Sequence, residues 1–226
     1  MSGVSYAWPG SRSFEIAIDQ FSLESGSRTL LVGPSGSGKS TLLSLLCGIV
    51  TPKRGRINVL STDIVQLSNA ARDRFRAAHI GVIFQMFNLL PYGSVLDNVM
   101  LPLSFSPERR DRATAHGDAA SEAARLLAEL GIDASLLGGS AAALSVGQQQ
   151  RVAVARALIG SPELIVADEP TSALDEERQQ RFLDLLFRQI AETGTSLLMV
   201  SHDRRIGPLF DRVIELEEIV AVRGGS

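Results

Sequence analysis

Arg28-Thr29-Leu30-Leu31-Val32-Gly33-Pro34-Ser35-Gly36-Ser37-Gly38-Lys39-Ser40-Thr41 decides the fold: an apolar strand runs into a Gly/Ser loop and then into a helix. The helical run, Thr41 to Cys47, is closed by Gly48 at the position where a left-handed residue ends a helix. Residues 33–41 contain G-x-x-x-x-G-K-[ST] in the strand–loop–helix order that the motif needs. Glycines let the backbone wrap around phosphate oxygens and aim its N–H groups inward. The helix N-terminus adds partial positive charge. Lys39 is expected to charge-pair with the β- and γ-phosphates, and the Ser40 hydroxyl to ligate Mg²⁺. A Gly/Ser turn preceding a helix by chance is the bland alternative, and the flanking strand and helix weigh against it. The motif alone signals a nucleoside triphosphate and does not separate kinases, GTPases, motors and transport ATPases.

Outward from that loop, Phe14 to Leu31 reads as two alternating apolar–polar runs interrupted at Gly26. Gly55 to Val59 and Ile80 to Phe84 read as strands, with a short helix over Asn69 to Arg76 between them. Leu96 to Leu103 and Ala119 to Leu130 are helical, the second with an apolar face at Ala120, Ala123, Ala124, Leu127 and Leu130. The charged stretch between them, Ser106 to Gly117, lacks large aliphatic residues and reads as a mobile connection. A helix from about Val146 to Ile159 comes next, then two uninterrupted apolar runs, Leu164 to Ala167 and Ser196 to Val200, flanking a helix over Glu176 to Glu192. Uninterrupted apolar runs suit strands buried on both faces of a parallel sheet.

Composition narrows the class. The 226 residues can bury one core plus a smaller subdomain, and 45% hydrophobic with 21% charged residues is ordinary for a globular protein. The net charge of −3 gives no basic surface, so nucleic acid is not expected as a partner, and Lys53, Arg54 and Arg56 read as a solvated turn. One cysteine, Cys47, excludes an internal disulfide and is expected to pack as a small hydrophobe. No apolar run is long enough to span a bilayer, Met1 to Gly10 lacks signal-peptide character, and Ser2 excludes N-myristoylation. Any membrane connection is therefore expected to come through a partner.

Two further motifs carry chemistry. Leu164-Ile165-Val166-Ala167-Asp168-Glu169-Pro170 ends an apolar strand in two carboxylates. Beside a phosphate loop, Asp168 suits Mg²⁺ positioning and Glu169 suits polarisation of an attacking water. Leu144-Ser145-Val146-Gly147-Gln148 starts a helix with Ser145 and Gln148 at capping-box spacing. An ordinary N-cap and an anion site at the helix start are compatible readings.

With these three elements in order, the chain closely resembles the ATP-binding subunits of ABC transporters along nearly its whole length. The resemblance implies an α/β P-loop NTPase with a mostly parallel core sheet, an N-terminal antiparallel β subdomain and an α-helical signature subdomain. It implies a single ABC ATPase domain over 1–226, with 1–86 and 160–226 forming the core and 87–159 the helical part. Residues 33–41 look like Walker A (Gly33, Pro34, Ser35, Gly36, Ser37, Gly38, Lys39, Ser40, Thr41), and Ile165–Glu169 like Walker B with its catalytic glutamate. Leu144–Gln148 looks like the LSGGQ signature, with Ser145, Gly147 and Gln148 toward nucleotide and Val146 where the family usually has glycine. Gln85 corresponds to the Q-loop glutamine, a nucleotide and Mg²⁺ contact; Asp175 closes the D-loop Ser172–Asp175; His202 corresponds to the switch histidine. An upstream aromatic stacks on adenine in the family, and Trp8 is the first candidate here, Tyr6 the second.

The resemblance further implies ATP with Mg²⁺ as ligands, hydrolysis by Glu169 as base with His202 and Lys39 on the phosphates, and a head-to-tail dimer of two copies around two ATP. A transmembrane permease is implied as partner near Gln85 to Tyr92, placing the chain in the cytoplasm, peripheral on the inner face of the membrane. Gln85–Pro91, Asp97-Asn98-Val99 and Leu101-Pro102-Leu103 look most like the lipoprotein-release and macrolide-export subgroup. A cell-division type signalling ATPase and an importer subunit stand as alternatives; the end soon after Ile219 is read as leaving no room for the regulatory domain some importers carry. Soluble members acting on DNA or the ribosome fit less well, since neither a long coiled coil nor a second ATPase unit is present.

Overall fold

The computed structural model describes residues 1–8, 15–172 and 174–223. From the N-terminus, strands β1 (Ser2–Ala7), β2 (Glu15–Gln20) and β3 (Arg28–Val32) lead into helix α1 (Lys39–Leu46). Strands β4 (Arg54–Arg56), β5 (Asn58–Val59) and β6 (Thr62–Asp63) precede α2 (Asn69–His79) and β7 (Ile80–Ile83). Four helices come next: α3 (Val95–Met100), α4 (Pro107–Ala113), α5 (Ala119–Glu129) and α6 (Val146–Leu158). The chain continues through β8 (Leu164–Asp168), α7 (Glu176–Thr193), β9 (Ser196–Ser201), β10 (Arg212–Glu215), α8 (Leu216–Ile219) and β11 (Ala221–Arg223).

The expected architecture is present. A five-stranded parallel sheet has the order β10-β3-β9-β8-β7, and a four-stranded sheet has the order β11-β2-β1-β4. In the second sheet β1 pairs antiparallel with β2 and β4, and β11 antiparallel with β2. The sequence explains the contrast. Leu164–Ala167 and Leu197–Ser201 are buried at every position, as strands covered on both faces must be. In β2, by contrast, Ile16 and Ile18 are buried between less covered neighbours, the alternation of a sheet with one wet face.

The chain divides into two compact units, residues 1–76 with 198–226, and residues 77–197. The first holds β1 to β6, α1 and the chain's last strands. Its start and end are stitched together: β10 runs parallel to β3 in register Arg212↔Thr29 to Glu215↔Val32. The Arg28 guanidinium grips Asp211 at 2.5 Å, which holds that carboxyl well below its ordinary range, at about 2. Cys47 packs as a small hydrophobe, and burial pushes its thiol up to about 12. Arg54 and Arg56 are solvated as expected, but they stand in strand β4 rather than in a turn.

The second unit corrects one expectation. Ser106 to Gly117 is not a mobile connection: Ser106 caps α4 through its side chain, Pro107 opens the helix, and Arg109 is 2% exposed. Among the described residues the Arg109 guanidinium hydrogen-bonds to no carboxylate. It donates instead to five carbonyl oxygens: Ile159 at 2.6 Å, Ala157 at 2.5 Å, and Arg156, Ala77 and Ile80 at 3.4 Å. Three of these, on Arg156, Ala157 and Ile159, stand at the C-terminal end of α6, where the helix has no donors of its own for its last oxygens. Arg112 does the same for Gly160 at 2.7 Å and Ala78 at 2.5 Å. Burial lowers the Arg109 pKa to about 10, which leaves it charged at neutral pH. Composition misled because a helix docked by arginines onto backbone oxygens needs no aliphatic stripe. Replacing Arg109 by Met orphans those carbonyls; we expect a loss of about 3 kcal/mol or more, read as a lower urea midpoint with far-UV signal retained before the transition.

Candidate functional site

In the first unit the loop after β3 is shaped by glycines in the left-handed region. Gly36 at φ 80° and Gly38 at φ 103° hold backbone angles that a side chain would strain. Gly38 is the N-cap of α1, it makes no side-chain cap, and the first turn carries no acid. No side chain covers that helix start, and the partial positive charge of a helix N-terminus favours an anion there. The Lys39 side chain is buried and folds back so that Nζ donates to the Gly33 oxygen at 2.7 Å and the Pro34 oxygen at 3.0 Å. Ser37 Oγ also donates to the Pro34 oxygen, at 2.7 Å, which fixes the crown of the loop. Ser35 and Ser40 are exposed; Thr41 is buried at the third position of α1.

Of the two aromatic candidates, Tyr6 is 7% exposed and Trp8 is 41% exposed. Tyr6 presents its ring edge-on to Trp8, with centroids 5.3 Å apart and an interplanar angle of 84°. The Trp8 indole N–H donates to Thr41 Oγ1 at 3.1 Å, so the wet ring is the one tied to the phosphate loop. Pro9 and Gly10, the next two residues of the sequence, lie outside the described residues. His202 is exposed in the same unit, between Ser201, whose Oγ accepts from the Asp203 N–H at 3.0 Å, and Asp203 itself.

The second unit carries the carboxylates. Asp168 ends β8, and Glu169 follows in a left-handed conformation, φ 44°. That angle is costly for a non-glycine residue, and such positions gather where a side chain must be aimed. Gln150, buried on α6, donates to the Pro170 oxygen at 2.9 Å and pins the turn. Gln85 is exposed and its amide donates to Ser172 Oγ at 3.4 Å, so these two residues, 87 positions apart, are neighbours. Asp175 serves as N-cap of α7, accepting from the Arg178 N–H at 2.9 Å. Ala173 lies outside the described residues.

At the start of α6 the N-cap reading of residues 144–148 holds. The capping box is complete: Gln148 Oε1 accepts from the Ser145 N–H at 2.9 Å, and Ser145 Oγ accepts from the Gln148 N–H at 3.4 Å. Val146 is 57% exposed, and a Cβ on Gly147 would meet nothing within 4 Å. A cleft of about 920 Å³ opens beside Ser145, Val146 and Gly147, flanked by Arg151, Arg178 and Arg181. Sequence reasoning missed Arg156, which donates to the Phe87 oxygen and to the Asn88 oxygen at 2.7 Å. It thereby holds two residues with positive φ, 58° and 48°, close after Gln85. The signal was available: Gln150 and Arg156 are polar residues on the otherwise apolar buried face of α6.

The donor set fits the implied ligands. Left-handed glycines, a helix start without a side-chain cap and one lysine suit a triphosphate; the hydroxyl of Ser40 in the first unit and the carboxylate of Asp168 in the second are each hard oxygen donors of the kind Mg²⁺ takes. The profile of the ABC transporter family matches residues 18–172. The chain belongs to the ABC transporter family.

Within that family the lipoprotein-releasing ATP-binding protein LolD of Hydrogenovibrio crunogenus is 40% identical over 198 residues, 88% of this chain and 83% of that relative. The macrolide export ATP-binding/permease protein MacB of Rhodopirellula baltica is 39% identical over 197 residues, 87% of this chain but 28% of that longer protein. Among solved structures, the dimeric post-hydrolysis state of the cassette MJ0796 bound to ADP and Pi superposes with a TM-score of 0.77 at 31% identity, covering 95% of this chain and 92% of that one. This ABC protein is accordingly an ATP-binding ATPase. Lys39→Ala removes the one full positive charge of the cradle; we expect MgATP affinity to fall by about 100-fold or more, and calorimetric titration showing unchanged binding would remove the loop from the site.

Proposed function

We propose that this chain is the ATP-hydrolysing subunit of a membrane complex of the lipoprotein-release or macrolide-export type, working as a head-to-tail pair of two copies. The observation that carries the reading is the uncapped start of α1 under two left-handed glycines with Lys39 alongside, in a chain whose 39–40% identical relatives bear those two names. Residues 33–41 and Trp8 bind the nucleotide of one site. Ser145, the N–H groups of Val146 and Gly147, and Gln148 of the second copy close it, while Asp175 sits at the junction.

Ser40, Asp168 and Gln85 are the residues that would hold Mg²⁺, which would supply positive charge to the phosphate when bound. Glu169 accepts the proton of the attacking water, and the left-handed backbone at that residue sets the direction of its carboxylate. Lys39 draws negative charge from the γ-phosphate, and His202 contacts that group. The P–O bond to the β-phosphate breaks, and the charge left on ADP is met by the helix start and Lys39.

The partner is a transmembrane permease that docks near Gln85 to Tyr92. Met86 at 81% and Tyr92 at 84% exposure are large apolar side chains in water, and they flank a segment braced from within. Asn98, fully buried, supplies the brace, bonding both the N–H of Leu90 at 2.7 Å and its oxygen at 3.1 Å. Among the described residues no helix is long and apolar enough to cross a membrane, and the permease supplies that anchor on the cytoplasmic face.

Two experiments test this. Glu169→Gln is expected to bind MgATP normally, to hydrolyse it about 100- to 10,000-fold more slowly, and to accumulate a dimer on size exclusion; turnover at the unmodified rate would remove Glu169 as base. Lys39→Ala and Ser145→Arg are each expected to be inactive alone. Mixed, they form one intact shared site per dimer and recover part of the phosphate release, whereas no recovery would argue against a site shared between copies.

A further inference from the structure

The hydrogen bond between Trp8 and Thr41 has a role beyond holding a ring in place. Thr41 is 7% exposed on α1, and its β-branched side chain has few rotamers in a helix. Its hydroxyl carries one proton and two acceptor lone pairs. The indole N–H of Trp8, 3.1 Å away, occupies an acceptor position on Oγ1. Indole nitrogen is a donor only, so the polarity of this bond is fixed: Trp8 gives and Thr41 receives. The Thr41 proton must therefore point elsewhere. Buried Tyr6 packs against the same ring in a T-shaped contact, centroids 5.3 Å apart, which helps fix its orientation.

We propose that Trp8 and Thr41 form a relay that couples nucleobase binding to phosphate binding. A base stacked on Trp8 immobilises the ring; the ring's N–H orients the Thr41 hydroxyl; and that hydroxyl donates to a phosphate oxygen at the start of α1. The inference rests on the proposed reading of Trp8 as the base platform and of residues 33–41 as the phosphate loop. Its ligand class is a nucleoside triphosphate bearing a flat base. Its distinguishing consequence is that the two halves of the ligand are not felt independently, because an anion without a base still senses whether residue 8 can donate.

Calorimetric titration with Mg-tripolyphosphate, which has no base, reads the relay on the full chain. Trp8→Phe keeps an aromatic ring and loses the donor; Thr41→Val keeps the shape and loses the acceptor. Each is expected to weaken tripolyphosphate binding about fivefold, the worth of one neutral hydrogen bond. Made together they are expected to cost no more than either alone. Thr41→Ser, which keeps the acceptor, is expected to leave the Trp8→Phe penalty intact. Penalties that multiply in the double variant overturn the relay.

Should Thr41→Val fail to fold, the indole N–H resonance of the sole tryptophan in the unmodified chain serves instead. It is expected to shift when Mg-tripolyphosphate is added, and an unmoved resonance at saturation overturns the relay. The base platform is read separately, with MgATP. Trp8→Ala binding MgATP as well as Trp8→Phe does would end the stacking reading while leaving the tripolyphosphate result to stand or fall alone.

Discussion

The first unit is organised around a helix start that no side chain caps. An α-helix opens with N–H groups that have no acceptor within the helix, and several helices of this chain answer them with a side chain: Ser94, Ser106, Asp118, Ser145 and Asp175 each cap one. The helix after the phosphate loop does not, since its cap is Gly38, which has no side chain to give. The loop before it carries two left-handed glycines, and the buried Lys39 amine folds back onto the Gly33 and Pro34 oxygens of that same loop.

The second unit solves the opposite problem at the other end of a helix. The last carbonyls of α6 lie in the interior, and Arg109 meets them with its guanidinium group rather than with solvent, while Arg112 holds the Gly160 oxygen just past the helix end. A buried arginine held by carbonyls alone is tolerable because its five N–H donors find oxygen acceptors that would otherwise be orphaned. Arg156 and Gln150, on the buried face of the same helix, extend this logic to the oxygens of Phe87, Asn88 and Pro170. Helix α6 thus begins at exposed Ser145, Val146 and Gly147 and is anchored further along to the backbone just after Gln85 and Glu169. A rigid element with one free polar end is a sound way to present that end to another molecule.

Aromatic placement turns on a similar contrast between buried and open positions. Tyr6 and Trp8 are two residues apart, on and just beyond a strand with a period of two, and both are amphipathic aromatics. Burial separates them. Tyr6 enters the core under the sheet, and Trp8, past the last strand residue, stays half wet and finds Thr41.

By itself the sequence determined the features that are written in local chemistry. The loop of residues 33–41, the acids ending β8, the capping box at Ser145 and the unbroken apolar strands are each legible within about ten neighbouring residues, because turn angles, helix caps and two-sided burial act over that range. Only the tertiary structure decided how Ser106 to Gly117 is used, that Gln85 neighbours Ser172, that Glu169 bears positive φ, and that Trp8 rather than Tyr6 meets Thr41. Most of those outcomes depend on which backbone oxygens or hydroxyls a fold brings within hydrogen-bond reach from distant parts of the chain, and no residue's own type records that distance.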